Sequence, residues 1–311
     1  MTEHLVQLSI PRPNSHAIAQ LKCVTAIGGG HGLGRVLSTL SFLERRLIGI
    51  VATTDDGGAS GKLRRSHDCI AWGDIRNCLS QLAQQPLAAD VLNYRFESEH
   101  ELHGHNLGNL ILYTLDQVSA RPLDGIQLLS RLLNINTRLL PMSEMPVDLV
   151  ASTHDGLECF GELHVDGLLH MPQKLALSHP VVATPEALAH IRRSELIILG
   201  PGSFLTSVMP PLLVNEFVQT IAAATAPVIF IDNLAPEHSP AGEMPISQRL
   251  EWMNQQLGEP LVDAVITNRP DAHLKLPVFD HVSATADAPH RHDSSSLLAA
   301  LNAAVTYFLK D

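Results

Sequence analysis

Two strongly apolar segments run directly into glycine-rich turns, and these junctions restrict the possible folds more than any other feature of the chain. Residues 21–27 lead into Gly28-Gly29-Gly30-His31-Gly32-Leu33-Gly34, and residues 196–199 lead into Gly200-Pro201-Gly202-Ser203. A third apolar run, 47–53, ends in Thr54-Asp55-Asp56-Gly57-Gly58. Runs without polar alternation suit strands covered on both faces, as in a parallel sheet. Helical spacing at Leu33, Val36, Leu37, Leu40 and Leu43 separates the first strand from the strand at 47–53. Strand, helix, strand in this order is a right-handed βαβ unit. The predicted architecture is α/β, a Rossmann-like three-layer sandwich with a mostly parallel central sheet.

The same rhythm continues along the chain. A polar loop is expected over 55–72, then helices starting at Asp74, over 106–118 and over 123–133. Between 138 and 172 the pattern shifts to short, partly alternating runs at 147–152 and 159–165, with Asp155-Gly156 as a turn. This predicts a small β excursion on the main sheet. Helices over 186–193 and 212–223, strands at 196–199, 228–231 and 262–267, and a closing helix over 297–309 complete the pattern. A cap among residues 293–296 is expected for that last helix. Pro11, Pro13 and Asn14 mark residues 1–20 as a loose arm, leaving 21–311 as one domain.

Composition narrows the partners. A net charge of −11 disfavours nucleic acid as the main partner, since a phosphate backbone demands a basic footprint. The four cysteines show no Cys-x-x-Cys spacing, which fits reduced, buried thiols. No secretory signal is visible at the N-terminus, and no apolar stretch approaches the ~18 residues of a membrane span. A cytoplasmic protein without a membrane span is expected.

Five glycines in the seven residues 28–34 point to a ligand phosphate, because bare amides at a helix N-terminus favour anionic oxygens. The turn is not the dinucleotide fingerprint, which needs glycine where Leu33 stands. Gly57–Lys62 imitates a P-loop, yet only three residues separate Gly57 from Gly61, and Leu63 replaces the metal-binding hydroxyl. Lys62, Arg64 and Arg65 suit either a phosphate or solvent. Asp55-Asp56 suits a ribose diol, Mg²⁺ or a simple turn. Adjacent residues on an extended chain point opposite ways, so one of the pair is expected to face the site. Asp74 and Asn106 fit as N-caps, whereas Arg76, His105 and Asn109 exceed capping needs. His103-x-His105 has no matching third metal ligand. Gly200–Ser203 forms a second anion turn, to which Ser203 and Thr206 could add hydroxyl donors. Asp55, Asp56 and His105 are the acid–base candidates, with no nucleophile–base pair in evidence.

Taken together, these segments resemble the gluconeogenesis factor family, the YvcK/YbhK group of CofD-like proteins. The resemblance rests on Gly28–Leu33, Thr53–Gly61, Gly73–Asn77, His105–Asn109, Gly200–Ser207, Asp232-Asn233 and Arg291-His292-Asp293, in family order. His31 and Pro141-Met142-Ser143-Glu144 place it near the enterobacterial-type branch. The resemblance implies a UDP-sugar ligand and a cytoplasmic role in growth and cell shape on gluconeogenic carbon sources. It places Gly28, Gly29, Gly30, His31, Gly32 and Leu33 against the diphosphate, with Gly200, Gly202 and Ser203 nearby. It assigns Asn233 and Arg291 to the nucleotide or sugar, and Asp56, Gly57, Ser60, Asn77 and Asn109 to the same ligand site. A more distant relative, 2-phospho-L-lactate transferase, is a magnesium-dependent enzyme of coenzyme F420 synthesis. Its metal-binding aspartate motif matches Asp55-Asp56, but its deazaflavin-substrate pattern is not found. The leading expectation is a nucleotide-sugar-binding regulator. The alternative is a Mg²⁺-dependent transferase acting on a nucleotide-diphosphate-linked substrate. An NADP-dependent oxidoreductase fits less well, lacking both the fingerprint and a proton relay. A homodimer is the default assembly.

Overall fold

The computed structural model describes residues 16–97 and 101–309. In chain order the first half runs β1 (Val24–Gly28), α1 (Gly30–Thr39), β2 (Leu47–Val51), α2 (Gly58–Ser66), α3 (Gly73–Leu82), α4 (Pro86–Asn93), α5 (Leu107–Val118), α6 (Pro122–Leu132) and β3 (Arg138–Pro141). A small unit follows, with β4 (Leu149–Ser152), β5 (Glu158–Phe160), α7 (Glu162–Asp166) and β6 (Lys174–Leu177). The second half runs α8 (Pro185–Ile191), β7 (Leu196–Leu199), α9 (Met209–Leu212), α10 (Asn215–Ala222), β8 (Val228–Ile231), α11 (Ile246–Leu257) and β9 (Ala264–Ile266). It closes with β10 (Val278–Phe279), β11 (Ala284–Thr285), β12 (Ala288–His292) and α12 (Ser294–Phe308).

The central sheet has the order β10-β9-β8-β7-β1-β2-β3, and every neighbouring pair is parallel. Continuous apolarity is explained by burial on both faces. Leu196 and Ile198 join a core with α1, α3 and α12, while Ile197 and Leu199 join the opposite core with Met209, Phe217, Leu250 and Met253. Leu47 and Val51 likewise face one layer, and Ile48 and Ile50 the other. The chain lays strands outward from β1 through β2 to β3, then returns to β7 and builds the other way. That reversal between β1 and β7 is the topological switch point, where open α/β sheets bind ligands beyond the carboxyl ends of the strands.

Several expectations need correction. The expected loop 55–72 contains α2, which its glycines conceal on propensity grounds. A Cβ on Gly61 would stand 1.8 Å from the Asp56 carbonyl oxygen, so this helix folds back where only glycine fits. Arg64 fastens it through the Val147 carbonyl at 2.9 Å and the Asp148 carboxylate at 2.9 Å. The β excursion is not an extension of the main sheet: β3 belongs to that sheet, while β4–β6 form a separate antiparallel one in the order β5-β4-β6. The run 159–165 turns from strand to helix at Gly161, whose φ is +86°. The expected helix 212–223 is divided, with Phe204–Val208 as a π-helical turn before α9 and α10. Residues 1–15 of the expected arm lie outside the described residues, but Ala17–Gln20 is a 3-10 turn with Ile18 buried in the core. Asp293 caps α12 through the Ser296 N–H at 2.9 Å, as the sequence predicts. No described helix is long and apolar enough to cross a membrane.

Candidate functional site at the sheet switch point

The parallel order carries both glycine-rich turns to the carboxyl ends of β1 and β7, where they meet. A Cβ on Gly28 would lie 3.7 Å from the Gly200 Cα, and one on Gly32 would lie 2.1 Å from the Pro201 carbonyl oxygen. The turns form one wall of a cleft of about 830 Å³. His31, Gly32, Gly202, Ser203, Asn233 and Arg291 all line it, so six of the sequence-predicted residues converge. The far wall comes from β12, which pairs antiparallel with β11. Arg291 is held on this hairpin by Asp287 and Thr285. Arg35 reaches across from α1 to donate to the His292 carbonyl at 2.7 Å.

Internal carboxylates already satisfy donors at both turns. The Asp74 carboxylate accepts the Gly30 N–H at the start of α1 and is therefore not the N-cap of its own helix, a position held by Trp72. Glu237 accepts the Phe204 N–H at 3.0 Å, and Asp166 accepts from Ser203 at 3.0 Å and Thr206 at 3.1 Å. The two hydroxyls expected to face a ligand thus bind a carboxylate instead. Asn233 clamps the second turn: it accepts the Gly202 N–H at 3.2 Å and donates to the Gly202 carbonyl and to Glu237, both at 2.8 Å. Both its amide hydrogens are thereby used. Leu33 points into the core, and its N–H bonds to the Gly29 carbonyl at 3.3 Å.

The remaining predicted residues form a second group beside α1. Asp55 and Asp56 point apart, as adjacent residues should. Asp55 accepts the Gly57 N–H at 2.8 Å, with its other oxygen toward Gly73, whereas Asp56 accepts the Leu163 N–H at 3.2 Å at the start of α7. Ser60, Asn77 and Asn109 are buried behind them with Arg76. Asn109 donates to Ser60 and accepts from Arg76, both at 3.4 Å, and its own N–H is capped by Asn106 at 3.2 Å. Lys62 donates to the His103 carbonyl at 2.8 Å rather than toward the cleft. His105 stands beside the charges of Lys62 and His67, and burial together with those charges lowers its pKa.

Proton affinity along this floor is high. Burial first, and the Asp55 charge second, push Asp74 up to about 7. Burial with the Asp55 and Asp74 charges raises Glu162 well above the ordinary carboxylate range, and burial raises Asp166 and Glu237. Such an oxygen-rich floor fits Mg²⁺ in its common mode, held by one or two carboxylates with phosphate and water completing the shell. Among the described residues no group of three or more His, Cys, Asp or Glu side chains is preassembled to hold a metal. Each of the sequence-predicted pair has one oxygen occupied by a backbone N–H, and Asp55 is the one that stands beside Asp74 and Glu162.

The raised Asp74 has a measurable consequence in metal-free buffer. Between the ordinary value of 3.8 and about 7, the folded chain retains a proton that the unfolded chain has released. Stability therefore falls as pH rises through this window, with this group contributing a slope of up to ~1.4 kcal/mol per pH unit. Asp74→Asn is expected to flatten that dependence in urea unfolding between pH 5 and pH 8. An unchanged slope would show that Asp74 titrates as an ordinary carboxyl.

Sequence reasoning missed the β11–β12 hairpin and the ionic support beneath Asn233. The segment Ala288-Pro289-His290-Arg291-His292 has no apolar alternation and contains proline, so nothing in it signals a strand. Asp232 is buried at the end of β8, 2.8 Å from Arg249 and 3.6 Å from Arg269. It also accepts from Thr267 at 3.0 Å and from the Asn233 N–H at 2.8 Å. Beside it, burial lowers His292 to about 4.

Comparison with known proteins finds relatives along nearly the whole chain. The family model described as 2-phospho-L-lactate transferase CofD matches residues 24–307. A protein named "Putative gluconeogenesis factor" from Yersinia pestis is 47% identical, over 92% of this chain and 95% of its own length. Its namesake in Pasteurella multocida is 44% identical over 91% and 94%. The "Gluconeogenesis factor" of Listeria monocytogenes is 33% identical over 79% and 77%. The crystal structure of a UPF0052 family member from Bacillus halodurans superposes with a TM-score of 0.82 at 28% identity, covering 90% of this chain and 99% of that one.

Proposed function

The chain belongs to the CofD family, within its gluconeogenesis factor group, and we propose that it is a cytoplasmic nucleotide-sugar-binding protein that takes a UDP-sugar at the switch point. The observation carrying this reading is the meeting of two glycine turns on one wall of the cleft, with Arg291 on the other. A diphosphate entering at His31 and Gly32 meets the N-terminus of α1, where the Gly30 amide is taken by Asp74 and the helix dipole still favours negative charge. Arg291 supplies a cation from the hairpin, and the cleft has the volume of a small-molecule site. The gluconeogenesis factor relatives support a role in growth on gluconeogenic carbon, and normal cell shape under those conditions is part of the same reading. A homodimer is its expected assembly.

A second reading, a Mg²⁺-dependent transferase, is favoured by the carboxylates around Asp55. Here Asp55 would hold the cation against a diphosphate, and Asp74 or Glu162, each with a raised pKa, could carry a proton. When bound, the cation would supply charge neutralisation on the phosphate oxygens.

Thermal unfolding with UDP-sugars, GDP-sugars and free nucleotides, with and without Mg²⁺, separates the two. Selective stabilisation by UDP-sugars without metal, with ligand recovered intact, is expected for the regulator. Metal-dependent stabilisation with ligand consumed would favour the transferase. Arg291→Ala is expected to weaken UDP-sugar binding about tenfold, the scale of one charge-assisted hydrogen bond. Absence of stabilisation by any nucleotide-sugar would sink both readings.

A further inference from the structure

A second cleft, of about 480 Å³, opens beside the edge strand β3, at the end of the sheet where β2 and β3 begin. Its walls come from the end of α6, the segment leading into β2, the start of β3 and α8. Arg45, Arg131 and Arg138 line it, and none has a carboxylate partner among the described residues. Glu186 is the carboxylate on its wall, and Arg121 already binds both its oxygens, at 2.8 and 3.1 Å.

The buried His190 cannot balance the cluster. Its Nε2 lies 3.3 Å from an Arg138 nitrogen and its Nδ1 lies 3.4 Å from an Arg193 nitrogen. A neutral imidazole accepts at one nitrogen only, and a guanidinium only donates, so one of these contacts lacks an acceptor. Burial and the two arginine charges also lower the pKa of His190. The cleft therefore gathers cationic donors in a chain with 32 acidic and 21 basic residues.

We propose that this cleft binds a small phosphoryl-bearing anion through Arg45, Arg131 and Arg138. Guanidinium groups match phosphate oxygens in bidentate geometry and lose less hydration than an ammonium would. The site is concave and of small-molecule size, whereas a nucleic acid requires an extended basic track. It lies at the opposite end of the sheet strands from the glycine-rich cleft, so it is independent of the function proposed above.

Inorganic pyrophosphate is the probe, titrated into the full chain by calorimetry against sodium chloride of equal ionic strength. Arg131→Gln/Arg138→Gln is expected to weaken binding about tenfold or more, while Arg291→Ala changes it less than about twofold. The double variant should unfold no earlier than the parent in the absence of ligand, because it removes exposed like charges. Arg45→Gln provides a milder replacement, with a loss of about threefold or more expected from the same interaction. The proposal is overturned if pyrophosphate binds no better than the chloride control. It is equally overturned if the double variant binds like the parent, or if Arg291→Ala abolishes binding, which would move the anion to the glycine-rich cleft.

Discussion

Gly32→Ala is expected to destabilise the chain by about 2 kcal/mol or more, while Gly28→Ala, four residues earlier in the same turn, changes stability by under about 1 kcal/mol. The added methyl at position 32 would stand 2.1 Å from the Pro201 carbonyl oxygen and 2.7 Å from its carbon. Both are backbone atoms, so no side chain can swing aside, and overpacking of this kind costs about 1–3 kcal/mol or more. Position 32 lies inside α1, where alanine would by itself gain about 1 kcal/mol of helix propensity over glycine. The wedge outweighs that gain. At position 28 the nearest atoms lie at 3.7 Å, an ordinary contact. The pair separates two roles that a glycine-rich motif mixes together. Gly32 lets the two turns touch, whereas a methyl at Gly28 meets only ordinary contacts with Gly200 and Leu33. In urea unfolding, Gly32→Ala should lower the midpoint and Gly28→Ala should leave it. Ligand affinity should fall in Gly32→Ala, because Gly32 lines the cleft where the turns touch. Equal stability of Gly32→Ala and the parent would refute the close approach of the turns.

The layered fold was legible because its signal is repetitive: continuous apolar strands, each followed by a helix. Convergence of the two glycine turns was also legible, since parallel order carries every strand's carboxyl end to one side. What escaped was set by single tertiary contacts. Helix α2 carries two glycines, and its stability derives from Arg64 and from the close approach of Gly61 to Asp56. Helix α11 is the exception, unexpected from the sequence analysis although Ile246, Leu250, Met253 and Leu257 keep helical spacing and Gly258, in the left-handed region, is its stop. The roles of individual site residues were least legible. Asn233, Ser203 and Thr206 have the right chemistry for a ligand, but their partners are Gly202, Glu237 and Asp166. Residue type discloses a donor; only the fold discloses what it already donates to.

Those internal partners give the site a common physical logic. Asp74 occupies the first amide of α1, and Glu237 the amide after the second turn, so each turn is ordered by an anion belonging to the chain itself. The burial that holds these carboxylates in place also raises their proton affinity. A site built this way has its shape without a ligand, and the proposed binding of a phosphate there would be linked to pH through the carboxylates underneath.

The largest loss is expected from Asp232→Ala, about 3–5 kcal/mol, because the substitution strands a buried cation. The Asp232 side chain is only 1% exposed and that of Arg249 only 5%, with 2.8 Å between them. Removing the carboxylate leaves Arg249 without its counter-charge in a place water barely reaches. Arg269, 35% exposed, can turn outward and suffers less. Replacing both partners should therefore behave differently from replacing one. Asp232→Ala/Arg249→Met is expected to recover much of the loss, since a packed apolar pair carries no uncompensated charge. The damage should extend to the cleft. Asp232 accepts the Asn233 N–H at 2.8 Å, and Asn233 in turn clamps Gly202. Urea unfolding of the single and double variants, each with a nucleotide-sugar titration, tests both parts. Recovery of stability without recovery of binding would identify Asp232 as a positioning residue. A single substitution costing less than about 1 kcal/mol would mean that Arg249 finds another partner and that the ionic support beneath Asn233 is dispensable.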